Sequence, residues 1–201
     1  MIPSKYPVFV MASVTLIACG GTQSTVSNAI YELTQLDMIN QEFASLSTSI
    51  VQSEYTEILS IPEIGTVFYS GFVRANIASN DQHMPDTIIG RLETQFNLAE
   101  GSFSANGQVH QVYDDTGRGL QGTLEVANGS LNRQGDPQVA STLAFRATGT
   151  LFSAEEESLD FNIRMDGDFL GEEASMIAGI VTGQVENAGQ THVVSGVFAG
   201  Q

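Results

Sequence analysis

The sequence predicts an all-β protein: a single antiparallel, up-and-down barrel of about eight strands, preceded by a lipoprotein signal peptide and a partly helical tether. Three observations predict this arrangement. An apolar run near the amino terminus ends at the only cysteine in the chain. Glycine is absent between Thr22 and Ile64, where apolar residues recur every three or four positions. From Gly65 onward the chain holds 18 of its 20 glycines, and the apolar period becomes two.

The composition narrows the classes of function. The 201 residues suffice for one compact domain with a short appendage, and 42 % are hydrophobic, enough to build a core. A single cysteine excludes an internal disulfide framework and any zinc or iron–sulfur site that needs several cysteines. Seven basic residues against 23 acidic ones argue against a nucleic-acid partner, because phosphates require a cationic surface.

Residues 1–18 have the order of a secretory signal peptide. Lys5 precedes an apolar run, residues 8–18, which is too short to cross a bilayer as a helix. The run ends in Leu16-Ile17-Ala18-Cys19-Gly20, which resembles the lipobox of bacterial lipoproteins. Cys19 is therefore predicted to carry the lipid and to begin the mature chain, since a thiolate accepts a diacylglycerol. The alternative is an ordinary signal peptide that contains a cysteine.

The lipobox resemblance also predicts the location. Gly20 follows the cysteine, and by the family rule a residue other than aspartate there favours the outer membrane, so we expect lipid anchoring at its periplasmic face or at the cell surface. The mature chain would keep six arginines and 23 acidic residues, a net charge near −17. Such a charge favours solubility and repels anionic surfaces.

Residues 19–64 are predicted to form the lipidated amino terminus and a helical or flexible tether. Ser24, Thr25 and Ser27 are candidate helix N-caps, and Pro62 would end any helix. Two interpretations stay open: a spacer or docking helix that lifts the domain off the membrane, or a segment that packs one stripe on the barrel or is a partly disordered tether. The apolar positions of helical spacing are Val26, Ile30, Leu33, Leu36, Ile39, Phe43, Leu46 and Ile50.

Residues 65–201 are predicted to form the barrel. In the clearest strand, 159–166, Phe161 and Ile163 should point inward while Asn162 and Arg164 face water. Similar alternation occurs at 67–74, 88–97, 120–126, 142–151, 176–185 and 192–198. The predicted turns are Asn106-Gly107, Asp115-Thr116-Gly117, Asn128-Gly129, Gly135-Asp136-Pro137 and Asn187-Ala188-Gly189.

The apolar faces carry enough bulk to fill the barrel. An eight-stranded barrel has an interior just wide enough for side chains or for one small ligand. We expect a solid core, built around Phe96, Phe145, Phe161, Phe169 and Phe198. Only one face of each strand is apolar, which argues against a barrel that crosses the membrane.

Short glycine-based motifs recur in the carboxy-terminal half: Gly167-Asp168-Phe169-Leu170-Gly171-Glu172-Glu173-Ala174, then a strand with Gly179, and finally Gly196-Val197-Phe198-Ala199. These motifs resemble the barrel domains of transferrin-binding-protein-B-like surface lipoproteins, over about residues 65–201. The resemblance implies a β-barrel that binds a protein or an iron-bearing ligand. Family members that capture transferrin have two lobes with handle domains and long loops, which are missing here, so no contact residue is carried over.

Several constellations resemble catalytic or metal sites, but none is assigned such a role. Asp115-Thr116-Gly117 matches the motif of retroviral-type aspartic proteases. It lies between Asp114 and Arg118, so we expect a hydrated hairpin turn with both acids ionised. His83, His110 and His192 lack metal-ligand spacing.

Two acidic motifs resemble calcium sites. Asp166-Gly167-Asp168 begins like a calcium loop, but its twelfth position is Ile177 instead of a glutamate. The acidic runs 155–157 and 172–173 are predicted to be solvated hairpin tips, with a weak surface calcium site as the alternative.

The sequence therefore predicts a non-enzymatic outer-membrane or surface lipoprotein. Its barrel is expected to bind a protein or an iron-related ligand, with no cofactor, no catalytic residue and no metal ligand. The alternatives are a lipocalin-like carrier of a small molecule and a structural envelope protein without a specific ligand. The sequence identifies no ligand-binding residue, and only Cys19 is assigned a role.

Overall fold

A computed structural model of the chain describes residues 23–79, 84–98, 104–134 and 140–201. Residues 1–18, Cys19, His83 and the predicted turn at 135–137 lie outside the described residues. Helix α1 (Gln23–Val51) comes first, and two short 3-10 helices occupy Ile58–Ser60 and Glu172–Ala174. The strands are β1 (Thr66–Ala78), β2 (Thr87–Asn97), β3 (Ser104–Asp114), β4 (Gly119–Gly122), β5 (Leu124–Leu131), β6 (Leu143–Phe152), β7 (Ser158–Leu170), β8 (Met176–Asn187) and β9 (Gln190–Gly200).

The strands form a closed antiparallel barrel. The order of the strands around the sheet follows their order along the chain, and β1 pairs with β9 to close the sheet. Strands β4 and β5 together occupy one position, because both pair with β3 on one side and with β6 on the other. The described strands therefore make an eight-position, up-and-down barrel, and the predicted fold class is confirmed.

The predicted register of β7 is also confirmed. Phe161 and Ile163 are 3 % and 0 % exposed, whereas Asn162 and Arg164 lie on the exposed face. The register follows from alternation: a shift by one residue would move four apolar side chains to water and four polar ones to the core.

Two of the predicted turns are instead parts of strands. Asn106-Gly107 lies within β3, where a Cβ on Gly107 would be 2.0 Å from the carbonyl oxygen of Glu93. The glycine there allows two backbones to approach closely. Asn128-Gly129 lies within β5 at a register shift against β6, and Asn128 has φ of 55°. These two residues form a β-bulge, which uses the same positive φ as a tight turn.

The turns at 115–117 and 187–189 are confirmed, since they connect β3 to β4 and β8 to β9. The proposed N-caps are wrong, because Ser24, Thr25 and Ser27 all lie inside α1, which already includes Gln23. The helix ends at Val51, well before Pro62.

Helix α1 packs on the outer wall of the barrel. Ile39 and Leu46 are 1 % and 6 % exposed and form an apolar cluster with three outward-facing barrel residues, Phe72, Ile89 and Ala199. Next to this cluster, Arg91 forms an ion pair of 2.8 Å with Glu42 and lies 5.3 Å from the centre of the Phe72 ring. Of the two interpretations of this helix, packing of one stripe on the barrel is the one observed.

The segment after α1, residues 52–64, closes one end of the barrel. The amide of Thr56 donates to the carbonyl of Phe169 at 2.9 Å, and the amide of Gly171 donates to the carbonyl of Glu54 at 2.9 Å. Ile61 is 2 % exposed within the barrel core, and Arg133 donates to its carbonyl oxygen at 3.1 Å. The segment therefore belongs to the same packed unit as the strands.

Candidate functional site

The barrel interior is filled with the protein's own side chains. The five predicted phenylalanines are all buried, and the ring of Phe96 lies 5.4 Å from those of both Tyr69 and Phe145. Phe198 extends this ring cluster in an edge-to-face contact, 5.2 Å from Phe145. Buried aliphatic residues from every strand position surround these rings in one continuous cluster. The expected solid core is thus present.

One polar group of this core is held near the end that residues 52–64 close. The hydroxyl of Tyr69 donates to the carbonyl oxygen of Ala174. Burial raises the pKa of Tyr69, so the phenol stays protonated and remains a donor. The hydrogen bond satisfies a buried hydroxyl that would otherwise cost stability.

One concave surface lies on the outside of the barrel. It is an open groove of about 610 Å³ over the outer faces of β1, β2 and β3, and we call it the wall groove. Two cross-strand rows of side chains form it. Phe68, Gln95 and Asn106 are register partners in the first row. The second row holds Ser70, Glu93 and Gln108, and the carboxy-terminal Gln201 pairs with Ser70 through two backbone hydrogen bonds.

The lining of the wall groove is one aromatic ring among amide, hydroxyl and carboxylate groups. Phe68 is a large apolar side chain on the outer, mostly polar face of β1, and it is 70 % exposed. Glu93 accepts a hydrogen bond of 3.3 Å from the side-chain amide of Gln108, and its other oxygen lies 3.5 Å from Nε2 of His110. A second groove of about 400 Å³ continues from Ser70 and Gln201 to helix α1.

The turn after β3 differs from the expectation of a hydrated acidic tip. Asp115 is exposed, but the side chain of Asp114 is only 2 % exposed, so the expectation of hydration is wrong for Asp114. Its carboxylate accepts hydrogen bonds from the amide (2.9 Å) and hydroxyl (2.7 Å) of Thr116 and from the amide (2.9 Å) and Nε (2.8 Å) of Arg118. Burial raises the pKa of Asp114, but these hydrogen bonds outweigh it and lower the pKa overall, so the group is ionised.

The other candidate residues are not brought together. His110 lies on β3 and His192 on β9, two strands that are not neighbours. Asp166 and Asp168 lie within β7 and are held by different groups: Asp166 forms a 2.7 Å ion pair with Arg164, and Asp168 accepts from the amide and hydroxyl of Thr142. Residues 166–168, which begin like a calcium loop in the sequence, are part of the extended strand β7.

The two acidic runs occupy connections. Residues 155–157 connect β6 to β7, where Glu155 forms an ion pair of 3.0 Å with Arg118. Glu172 and Glu173 line an open pocket of about 500 Å³ together with Glu54 and Glu57. Within the described parts of the chain, no group of three or more His, Cys, Asp or Glu side chains is placed to hold a metal ion.

Sequence reasoning did not identify the wall groove. Phe68, Ser70, Glu93 and Gln95 alternate with core residues and are expected to face water, whereas the sequence predicts a turn at Asn106-Gly107. One signal was present: Phe68 is a large aromatic residue at a position that the alternation of β1 assigns to water. Its neighbours in the groove come from three strands, and only the strand register shows that they form one surface.

No protein-family model matches the chain, and no curated protein matches its sequence. Among the helices of the described residues, none is long and apolar enough to cross a membrane.

Proposed function

We propose that this chain is a non-enzymatic bacterial lipoprotein, anchored at the outer membrane or cell surface through Cys19, which binds its partner in the wall groove. The observation that carries the proposal is the contrast between the two sides of the barrel wall. The inside is filled by rings 5.2–5.4 Å apart, whereas the outside offers an open groove with an exposed aromatic residue.

The proposed anchor residue, Cys19, is close in sequence to a helix that packs on the barrel. Only residues 20–22 separate Cys19 from the described start of α1, and α1 packs on the barrel wall. Leu33, in the amino-terminal half of α1, lies next to Gly117 in the β3–β4 turn. A lipid on Cys19 would therefore hold the barrel close to the membrane.

The partner class comes from the resemblance to transferrin-binding-protein-B-like barrels, which favours a protein or an iron-bearing ligand. A fold by itself does not specify a partner. A binding role also fits the acids of the protease-like motif: Asp114 accepts four hydrogen bonds from its own turn, and Asp115 is exposed instead of lying in a partly buried cleft. A lipocalin-like carrier needs an empty space inside the barrel for its ligand, but the phenylalanine rings occupy that space.

Mass spectrometry of the protein from its own membranes tests the anchor. We expect a chain that begins at acylated Cys19, and Cys19→Ser should leave the protein uncleaved or free of the membrane. An unmodified cysteine, or cleavage at another bond, would contradict the assignment.

Photo-cross-linking in living cells tests the binding surface. A photo-reactive residue at Gln95 should give a discrete adduct with a partner, while the same residue at Thr182, which is exposed on the outer face of β8, should not. Equal adducts at both positions, or none at Gln95, would contradict binding in the wall groove. A small molecule extracted from the barrel interior would favour the carrier, and the absence of any adduct would favour a structural envelope protein.

A further inference from the structure

The lining of the wall groove matches the chemistry of a particular ligand class. We propose that the groove binds a neutral oligosaccharide carried by the partner, with a sugar ring stacked on Phe68 and the sugar hydroxyls bonded to the surrounding polar groups. The inference rests on the proposed function, because it requires that the partner docks on the wall.

The exposed aromatic residue supplies the apolar part of such a site. Phe68 is 70 % exposed and contributes nothing to the barrel core, whose rings all lie on the other side of the wall. Its ring face carries the negative part of the aromatic quadrupole. The C–H groups on one face of a hexopyranose are apolar and slightly positive, so this face of a sugar stacks on an aromatic ring.

The polar neighbours supply the groups that sugar hydroxyls require. Gln95, Asn106 and Gln108 each offer donors and acceptors, and Glu93 offers two acceptor oxygens. Two adjacent sugar hydroxyls, each both donor and acceptor, match a planar amide or carboxylate in a bidentate manner. The 3.3 Å hydrogen bond from Gln108 to Glu93 holds two of these planar groups side by side.

The charge of the groove disfavours an anionic ligand. Among the residues that line the wall groove, Glu93 is the only side chain charged at neutral pH. The nearby cation Arg91 is held by Glu42 and the Phe72 ring. The chain carries a formal net charge of −16, so acidic polysaccharides and phosphorylated headgroups would be repelled.

The dimensions of the groove fit a sugar chain laid across the strands. Its two rows run over β1, β2 and β3, and neighbouring strands lie about 4.8 Å apart. A hexose residue in an extended oligosaccharide has a similar length, so consecutive sugars can lie over consecutive strands. The groove is open and not enclosed, which accommodates a segment within a longer chain.

Binding of the purified full chain, in detergent, to an array of neutral and acidic oligosaccharides tests the proposal. We expect at least one neutral glycan to bind, and we expect Phe68→Ala to weaken that binding about tenfold, the equivalent of roughly 1.4 kcal/mol of lost stacking. Phe152→Ala is the matched control, because Phe152 is also exposed (45 %) but lies on β6, outside the groove. The affinity of Phe152→Ala for the neutral glycan should equal that of the wild type.

Three results would overturn the proposal: no neutral glycan with a Kd below about 1 mM, a preference for acidic glycans, or equal weakening by Phe68→Ala and Phe152→Ala. The cross-linking experiment at Gln95 separates this failure from failure of the proposed function. If glycan binding is absent while the Gln95 adduct persists, the oligosaccharide is wrong and wall binding stands. If both are absent, both are wrong.

Discussion

The buried carboxylate of Asp114 gives the sharpest test of the local structure. Asp114→Ala removes the acceptor of four hydrogen bonds, two of them from the backbone amides of Thr116 and Arg118. A hydrogen bond to a charged group contributes about 1.5 kcal/mol, so the two amides alone lose about 3 kcal/mol. The Arg118 side chain is 47 % exposed, and its ion pair therefore adds little.

Urea denaturation of the wild type, Asp114→Ala and Asp115→Ala measures this difference. We expect a loss of about 3 kcal/mol in the free energy of unfolding for Asp114→Ala. Asp115→Ala is the matched control, since the neighbouring side chain is exposed and should change stability by less than about 0.5 kcal/mol. Equal effects of the two substitutions would refute the turn geometry described here.

The difference in stability between the wild type and Asp114→Ala should depend on pH. Because the pKa of Asp114 in the folded chain is lowered from its ordinary value of 3.8, its stabilisation is fully present above that value and disappears as the pH falls through the folded-state pKa. The stability difference between wild type and Asp114→Ala should therefore be constant from about pH 5 to 7 and shrink below about pH 4. A difference that grows on acidification would contradict an ionised, hydrogen-bonded Asp114.

Three further substitutions, one of them paired with a control, test the barrel and its helix. Phe161→Ala should lower the free energy of unfolding by about 3–5 kcal/mol, because it opens a cavity in the core; a loss below about 1 kcal/mol would show that the register is wrong. Gly196→Ala should cost at least about 2 kcal/mol, since its Cβ would lie 2.1 Å from the carbonyl oxygen of Arg74, whereas Gly119→Ala, with its nearest contact at 3.8 Å, should be nearly neutral. Ile39→Ala should speed hydrogen exchange in α1 while the strand amides stay protected, and equal acceleration in both would contradict a helix docked on a separate wall cluster.

The strands were predictable from the sequence because alternation is a local property. The apolar residues of β7 repeat every second position, and this alone places Phe161 in the core and Asn162 outside. The position of α1 was not predictable to the same degree. Its apolar stripe is visible in the sequence, but its docking surface consists of Phe72, Ile89 and Ala199, which come from three separate strands.

Short motifs that favour turns predicted the structure less well than the alternation of the strands did. Asn128-Gly129 and Asn187-Ala188-Gly189 share the residues that tolerate positive φ, yet the first is a bulge and the second a turn. Only the pairing of β5 with β6 distinguishes the two. The wall groove shows the same limit: its rows join residues that are distant along the chain, and their proximity depends on the register between strands.

A crystal structure of the protein purified from its own membranes, together with whatever ligand remains bound, distinguishes binding on the outer wall from binding inside the barrel. We expect the rings of Phe96, Phe145 and Phe198 to contact one another through the barrel interior, as their 5.2–5.4 Å separations indicate, and bound ligand to lie over Phe68 on the outer wall. Rings displaced by a ligand inside the barrel, with the wall groove vacant, would contradict it and identify the protein as a carrier.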